Sequence, residues 1–144
     1  MREKLIKSKK RVKEFAEVFT PQFIVKDMCD CIPNEIWNNI ESTFLEPACG
    51  NGNFLIEILE RKYKICNSSK DGLKALSSVV GIDIQKDNVD ECKARLMEQF
   101  LEKFPETLGN VLIISLASKI LDNNIICGNS IEIMKNWELE ENKK

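Results

Sequence analysis

A chain of 144 residues that is 43% hydrophobic and 31% charged has the composition of one ordinary folded domain, which excludes a disordered or collagen-like polymer. A formal net charge of −2 excludes polyanion binding through overall charge, and no apolar run reaches the roughly 20 residues of a membrane helix. The N-terminus, Met1-Arg2-Glu3-Lys4, lacks the apolar stretch of a secretory signal, so the expected location is the cytoplasm, with no membrane partner.

Residues 1–13 form a basic N-terminal arm, with Arg2, Lys4, Lys7, Lys9, Lys10, Arg11 and Lys13 set against Glu3. The pattern fits a loosely ordered, solvated arm. It also fits a phosphate contact, because clustered cations displace counterions from nucleic acid. Residues 14–137 read as the folded domain and 138–144 as a charged C-terminal tail. A helix is predicted to start at Thr20-Pro21, with Thr20 as N-cap and Pro21 at its first position, and to run through Phe23, Ile24 and Met28 to a break at Pro33. A short helix over 34–40 follows, carrying Trp37, and then a strand, Thr43-Phe44-Leu45. Trp37 and Phe44 are expected to serve packing.

Beyond a Gly-rich turn, Phe54, Leu55, Ile58 and Leu59 mark a helix to about Cys66, and Leu73 and Leu76 another over 70–78. Val79 to Ile84 is a strand whose nearly continuous apolar run suits a covered sheet. Val89, Cys92, Leu96 and Phe100 line the inner face of the next helix, which Pro105 interrupts. The apolar segment within 109–121 fits helix or strand by periodicity, and its length and Ala/Leu/Lys content favour helix. Asn124 to Cys127 is a third strand, and Gly128-Asn129-Ser130 leads into one last helical turn. Trp137 is a surface anchor or a partner contact; its position does not separate the two. Strands alternating with helices predict an α/β fold with a parallel sheet.

The six cysteines form no CxxC pair, and the absence of histidine removes mixed zinc sites and every Ser-His or Cys-His scheme. Reduced structural thiols and no metal are expected.

The chemistry concentrates in Phe44-Leu45-Glu46-Pro47-Ala48-Cys49-Gly50-Asn51-Gly52-Asn53-Phe54-Leu55: a strand, an acid, a Gly-x-Gly turn and a helix. Gly50 and Gly52 permit positive φ and close approach of a ligand to the backbone. The following helix points its unpaired N–H groups at the same space. A dinucleotide site also uses such a turn, but Glu46 would repel a pyrophosphate and attract the ammonium or sulfonium of a methionine-derived ligand. Leu55 stands where the third glycine of GxGxxG belongs, and Asp83 lies further on than the roughly 20 residues of the nicotinamide fingerprint. Asp83 can accept hydrogen bonds from ribose hydroxyls, and Ile84 can pack on an adenine face. Asn53 is open to a ligand-carboxylate contact or to a turn-stabilising role.

Glu17-Val18-Phe19-Thr20-Pro21, the Gly-rich block, Gly81-Ile82-Asp83-Ile84 and Cys127-Gly128-Asn129-Ser130 occur in an order that resembles the gamma-type DNA adenine methyltransferases of restriction-modification systems. The resemblance covers roughly residues 14–134. It implies a Rossmann-like methyltransferase fold with an incomplete three-stranded parallel sheet and flanking helices. It further implies binding of S-adenosylmethionine (SAM). Phe19, Thr20 and Pro21 would close over the methionine end, Glu46, Ala48, Gly50 and Gly52 would hold the cofactor, and Asp83 and Ile84 would meet its adenosine. Asn129 stands where the family often has Asp against the adenine amine, and its carbonyl oxygen would serve more weakly.

The family's catalytic block, Asn or Asp followed by Pro-Pro and an aromatic, would engage the flipped adenine. Here Pro21, Pro33, Pro47 and Pro105 are isolated and the sequence stops at Lys144, so no catalytic residue is expected. The expected function is SAM binding by a methyltransferase-like protein unable to methylate alone. The alternatives are an active adenine methyltransferase completed by a partner chain, and a non-catalytic interaction or regulatory module. The expected partners are DNA at the basic arm and a second copy or another chain at the exposed edge of the first strand.

Overall fold

The computed structural model describes residues 3–15 and 17–144. Helices α1 (Lys9–Phe15), α2 (Gln22–Asp30) and α3 (Asn34–Trp37) precede strand β1 (Phe44–Glu46). Helices α4 (Asn53–Tyr63) and α5 (Ser69–Ser77) then lead to β2 (Val79–Asp83). Helix α6 (Lys86–Lys103), a 3-10 turn (Pro105–Gly109) and α7 (Val111–Asn124) lead to β3 (Ile125–Cys127), and α8 (Ser130–Asn142) follows. The three strands are parallel in the order β1-β2-β3, with Phe44 opposite Val79 and Gly81 opposite Ile125. Helical crossovers joining parallel strands make this a Rossmann-like α/β fold, as the alternation of elements predicted. No helix of the described residues is long and apolar enough to cross a membrane.

The core forms where the helices bury one face beside the sheet. Leu55, Ile58 and Leu59 of α4 meet Leu76 of α5, Val89, Cys92, Leu96 and Phe100 of α6, and Ala117 and Leu121 of α7. β2 runs close under α4: a Cβ at Gly81 would lie 2.8 Å from Leu55 Cδ1. Tyr63 packs edge to face against Phe100 and Phe104, which are tilted at 50° to each other, and Trp37 stacks on Phe44 at 5.3 Å, the packing role expected of that pair. The apolar segment after Pro105 is helix, capped by the Asn110 side chain, which accepts from Ile113 N–H at 3.2 Å.

Lys62 is fully buried in α4. Its ammonium donates to Ile40 O at 2.8 Å, to Ser78 Oγ at 2.6 Å and to Ser42 O, which ties α4 to the approach to β1. Burial pushes its pKa down to about 8, so the group is still protonated at neutral pH.

Three expectations are corrected. The arm is not loosely ordered throughout: α1 occupies Lys9–Phe15, and Lys7 and Arg11 are tied to α6 by ion pairs that no local pattern announces. Thr20 does not cap α2. Pro21 takes the N-cap position with an extended ψ of 147°, and the Glu3 carboxylate accepts the Gln22 N–H at 3.0 Å. Finally, α8 is no single turn but runs to Asn142 through the acidic segment. Asn129 caps it, and the Glu-rich stretch that follows is good helix former with no Gly or Pro to stop it.

Candidate functional site

At the carboxyl ends of β1 and β2 the Gly-rich turn folds back over the sheet. Cys49 N–H donates to Ile82 O at 2.9 Å, which stitches the turn to β2. Gly50 (φ 55°) and Gly52 (φ 97°) both occupy the left-handed region. A Cβ at Gly50 would sit 3.1 Å from the Phe19 ring, and one at Gly52 would strike Cys92 Sγ at 2.8 Å. The two glycines therefore meet side chains, and only Gly50 also faces the adjoining space.

That space is a cavity of about 420 Å³ with three walls. Phe15, Glu17, Val18, Phe19 and Thr20 form one. Glu46, Ala48, Cys49, Gly50, Asn51, Asn53 and Phe54 form the second, and Asp83 and Ile84 the third. The size lies within the roughly 300–1,000 Å³ of small-molecule sites, and polar groups converge on it. A second groove, between α6 and the 3-10 turn, is lined mostly by apolar residues such as Met97, Leu101 and Leu108.

Glu46 sits at the end of β1, and Ala48 N–H donates to its Oε1 at 3.1 Å. Burial pushes its carboxyl above the usual range, the Ala48 bond opposes this, and no cation among the described residues compensates. Asp83 is more heavily engaged. Its Oδ2 accepts from Gly50 N–H at 3.1 Å, and its Oδ1 accepts from Gln85 N–H at 2.8 Å and Asn88 Nδ2 at 3.2 Å. An ionised carboxylate has about four acceptor positions, so roughly one remains for a ligand hydroxyl. Ile84, more than half exposed, offers a flat apolar wall.

The remaining wall is held by polar ties. Asn53 Nδ2 donates to Thr20 O at 3.1 Å, and Arg95 Nη1 donates to Asn53 Oδ1 at 2.9 Å and to Asn51 O at 2.8 Å. Asn53 thus stabilises the turn and pins Thr20. Lys7 Nζ pairs with Asp87 at 3.0 Å and Glu91 at 2.9 Å, while Arg11 pairs with Asp87 at 2.6 Å and Glu17 at 2.9 Å. The hydrogen bond from Arg11 holds the Asp87 carboxyl well below its usual range.

Of the residues named from the sequence, Phe19, Thr20, Glu46, Ala48, Gly50, Asp83 and Ile84 line one cavity. Pro21, Gly52 and Asn129 do not line it. Pro21 precedes α2, Gly52 packs on Cys92, and Asn129 Oδ1 accepts from Ile131 and Glu132 N–H groups at 3.0 and 3.2 Å. The sequence pattern assigns no role to Glu17, Asn51, Asn88 or Arg95; Glu17 and Asn51 stand inside the motif blocks, and nothing marks the other two. Of the thiols, Cys49 lines the cavity, where contact with Cys92 and burial push it far up, and burial pushes Cys66 up to about 11.

Over 80 residues, 56% of the chain, the sequence is 35% identical to the Type II methyltransferase M.VspI of Vibrio sp. (strain 343). The chain spans 16% of the length of that curated relative. No family model matches the sequence, and no solved structure matches it.

Proposed function

We propose that this chain binds SAM in the cavity at the Gly-rich turn, as the donor-binding part of a DNA adenine-methylating system of the restriction-modification kind. The observation that carries the reading is Glu46, a half-buried carboxylate facing the cavity with no cation beside it among the described residues. Such a site favours a cationic ligand and opposes the phosphates of a dinucleotide. SAM supplies a sulfonium and an ammonium for this carboxylate, and its adenosine suits Asp83 and Ile84. Likeness to a Type II methyltransferase supports the same choice.

Calorimetric titration with SAM, S-adenosylhomocysteine and NAD tests it. Saturable binding of the first two and none of NAD is expected; no binding of either adenosyl ligand overturns it.

The four prolines of these residues are isolated, and we read the 144-residue chain as holding the donor without transferring the methyl alone. The alternative is an active enzyme completed by a partner chain. Labelled SAM and mixed-sequence DNA, with and without cell lysate, separate the two: label in DNA from the chain alone contradicts the first. Two partner surfaces belong to the same reading. Lys9, Lys10 and Lys13, exposed on α1, are proposed to meet DNA phosphates, since Lys7 and Arg11 are spent on internal pairs. The unpaired side of β1, an edge strand, is proposed to take a second copy or another chain; a non-catalytic interaction module would use that edge alone. A chain that stays monomeric across the micromolar range contradicts self-pairing there.

A further inference from the structure

Two carboxylates that reach the cavity from different walls share one buried amide. Asn88, in the first turn of α6, has no exposed surface. Its Nδ2 donates to Glu17 Oε2 at 2.8 Å and to Asp83 Oδ1 at 3.2 Å. Outside it, Arg11 Nη2 donates to the same Glu17 oxygen at 3.0 Å. Inside it, Gly50 N–H donates to the other oxygen of Asp83 at 3.1 Å. A continuous set of polar contacts thus runs from α1 through Glu17, Asn88 and Asp83 to the Gly-rich turn.

The Asn88 carbonyl oxygen is buried without a partner among the described residues. A buried amide that leaves its acceptor unpaired costs stability, so packing alone does not explain an Asn here. Its donor explains it. Without the NH₂ group, Arg11 would still hold Glu17 and the Gly50 and Gln85 N–H groups Asp83, but the shared donor that ties the two acids together and fixes the aim of Asp83 would be lost.

We propose that Asn88, with Arg11 behind Glu17, is a positioning residue that aims Asp83 at the vicinal diol of the ligand and makes diol recognition depend on the docking of α1. The proposal rests on the SAM reading and deepens it. Asn88 does not line the cavity, so it acts only through the two acids.

The test compares S-adenosylhomocysteine with its 2′,3′-dideoxy analogue on the wild type and on Asn88→Ala, with melting temperatures recorded for both proteins. The wild type is expected to bind the dideoxy analogue at least tenfold more weakly. Asn88→Ala is expected to lose at least tenfold on S-adenosylhomocysteine but less than threefold on the analogue. Equal losses on the two ligands, or none, overturn the proposal while leaving the SAM reading intact. A wild type that binds neither overturns the SAM reading and the proposal with it. Arg11→Ala, at the accessible end of the contacts, keeps the test open if Asn88→Ala fails to fold. It is expected to show the same diol-selective loss in smaller measure, and an equal effect on both ligands counts against the role.

Discussion

Glu46 holds a carboxylate in a place that disfavours its charge, with one backbone N–H in partial compensation. Its raised pKa means that the folded chain binds more protons than the unfolded one above the ordinary value of 4.5. Its contribution to the ligand-free protein is therefore full below that value and is lost as pH rises through the raised one. A cationic ligand reverses the preference. Glu46→Gln is expected to leave the melting temperature unchanged or higher, and to weaken SAM by tenfold or more, the scale of roughly 1.5–3 kcal/mol for a hydrogen bond to a charged group. Unchanged affinity in a titration would contradict the role given to Glu46. That this residue, Gly50 and Asp83 would meet at one cavity was legible in the sequence because strand, acid, turn and acid stand in a fixed relation. Asn129, Pro21 and Gly52 lie outside that cavity, since a side-chain cap, a helix entry and a packed turn read the same way in sequence as ligand contacts. Asn88 was invisible, because only the folded chain brings α6 beneath Glu17.

Among the elements, α4 and the lead-in to β1 are joined by the buried ammonium of Lys62. Lys62→Met would leave Ile40 O, Ser42 O and Ser78 Oγ without that donor. A loss of roughly 3 kcal/mol is expected in urea denaturation, in the range for breaking buried charged contacts. With its pKa depressed to about 8 against an ordinary 10.5, Lys62 binds fewer protons folded than unfolded between those values. Its contribution therefore grows as pH rises across that window.

The segment from Glu3 to Phe15 owes its place to ion pairs and a few backbone bonds, such as Phe19 N–H to Leu5 O at 2.6 Å. Salt screens such pairs more than it weakens the core. Hydrogen exchange at residues 5–20 is expected to quicken between low salt and about 0.5 M, where the screening length falls to a few ångströms, while α4 and α6 stay protected. A uniform response would contradict the ionic account. The sequence showed the cations of this segment but not their acidic partners, Asp87 and Glu91, which lie some eighty residues along the chain.

For the whole molecule, the alternation of strands and helices was enough to read a parallel α/β sheet, whereas the strand order, with β2 at the centre, and the register are seen only in the folded chain. Hydrophobic pattern does not encode where a helix stops when no breaker is present, hence the length of α8. The fold gathers three chain-distant segments, residues 15 and 17–20, 46–54 and 83–84, at the carboxyl ends of β1 and β2, where open α/β sheets place ligands. The claim that these form one SAM site is tested most directly by amide chemical-shift mapping of the isotope-labelled chain during titration with S-adenosylhomocysteine. The expected result is a saturable set of shifts at Phe19, Thr20, Ala48, Gly50, Asp83 and Ile84. Shifts confined to the groove around Met97, Leu101 and Leu108, or none at all, would contradict it.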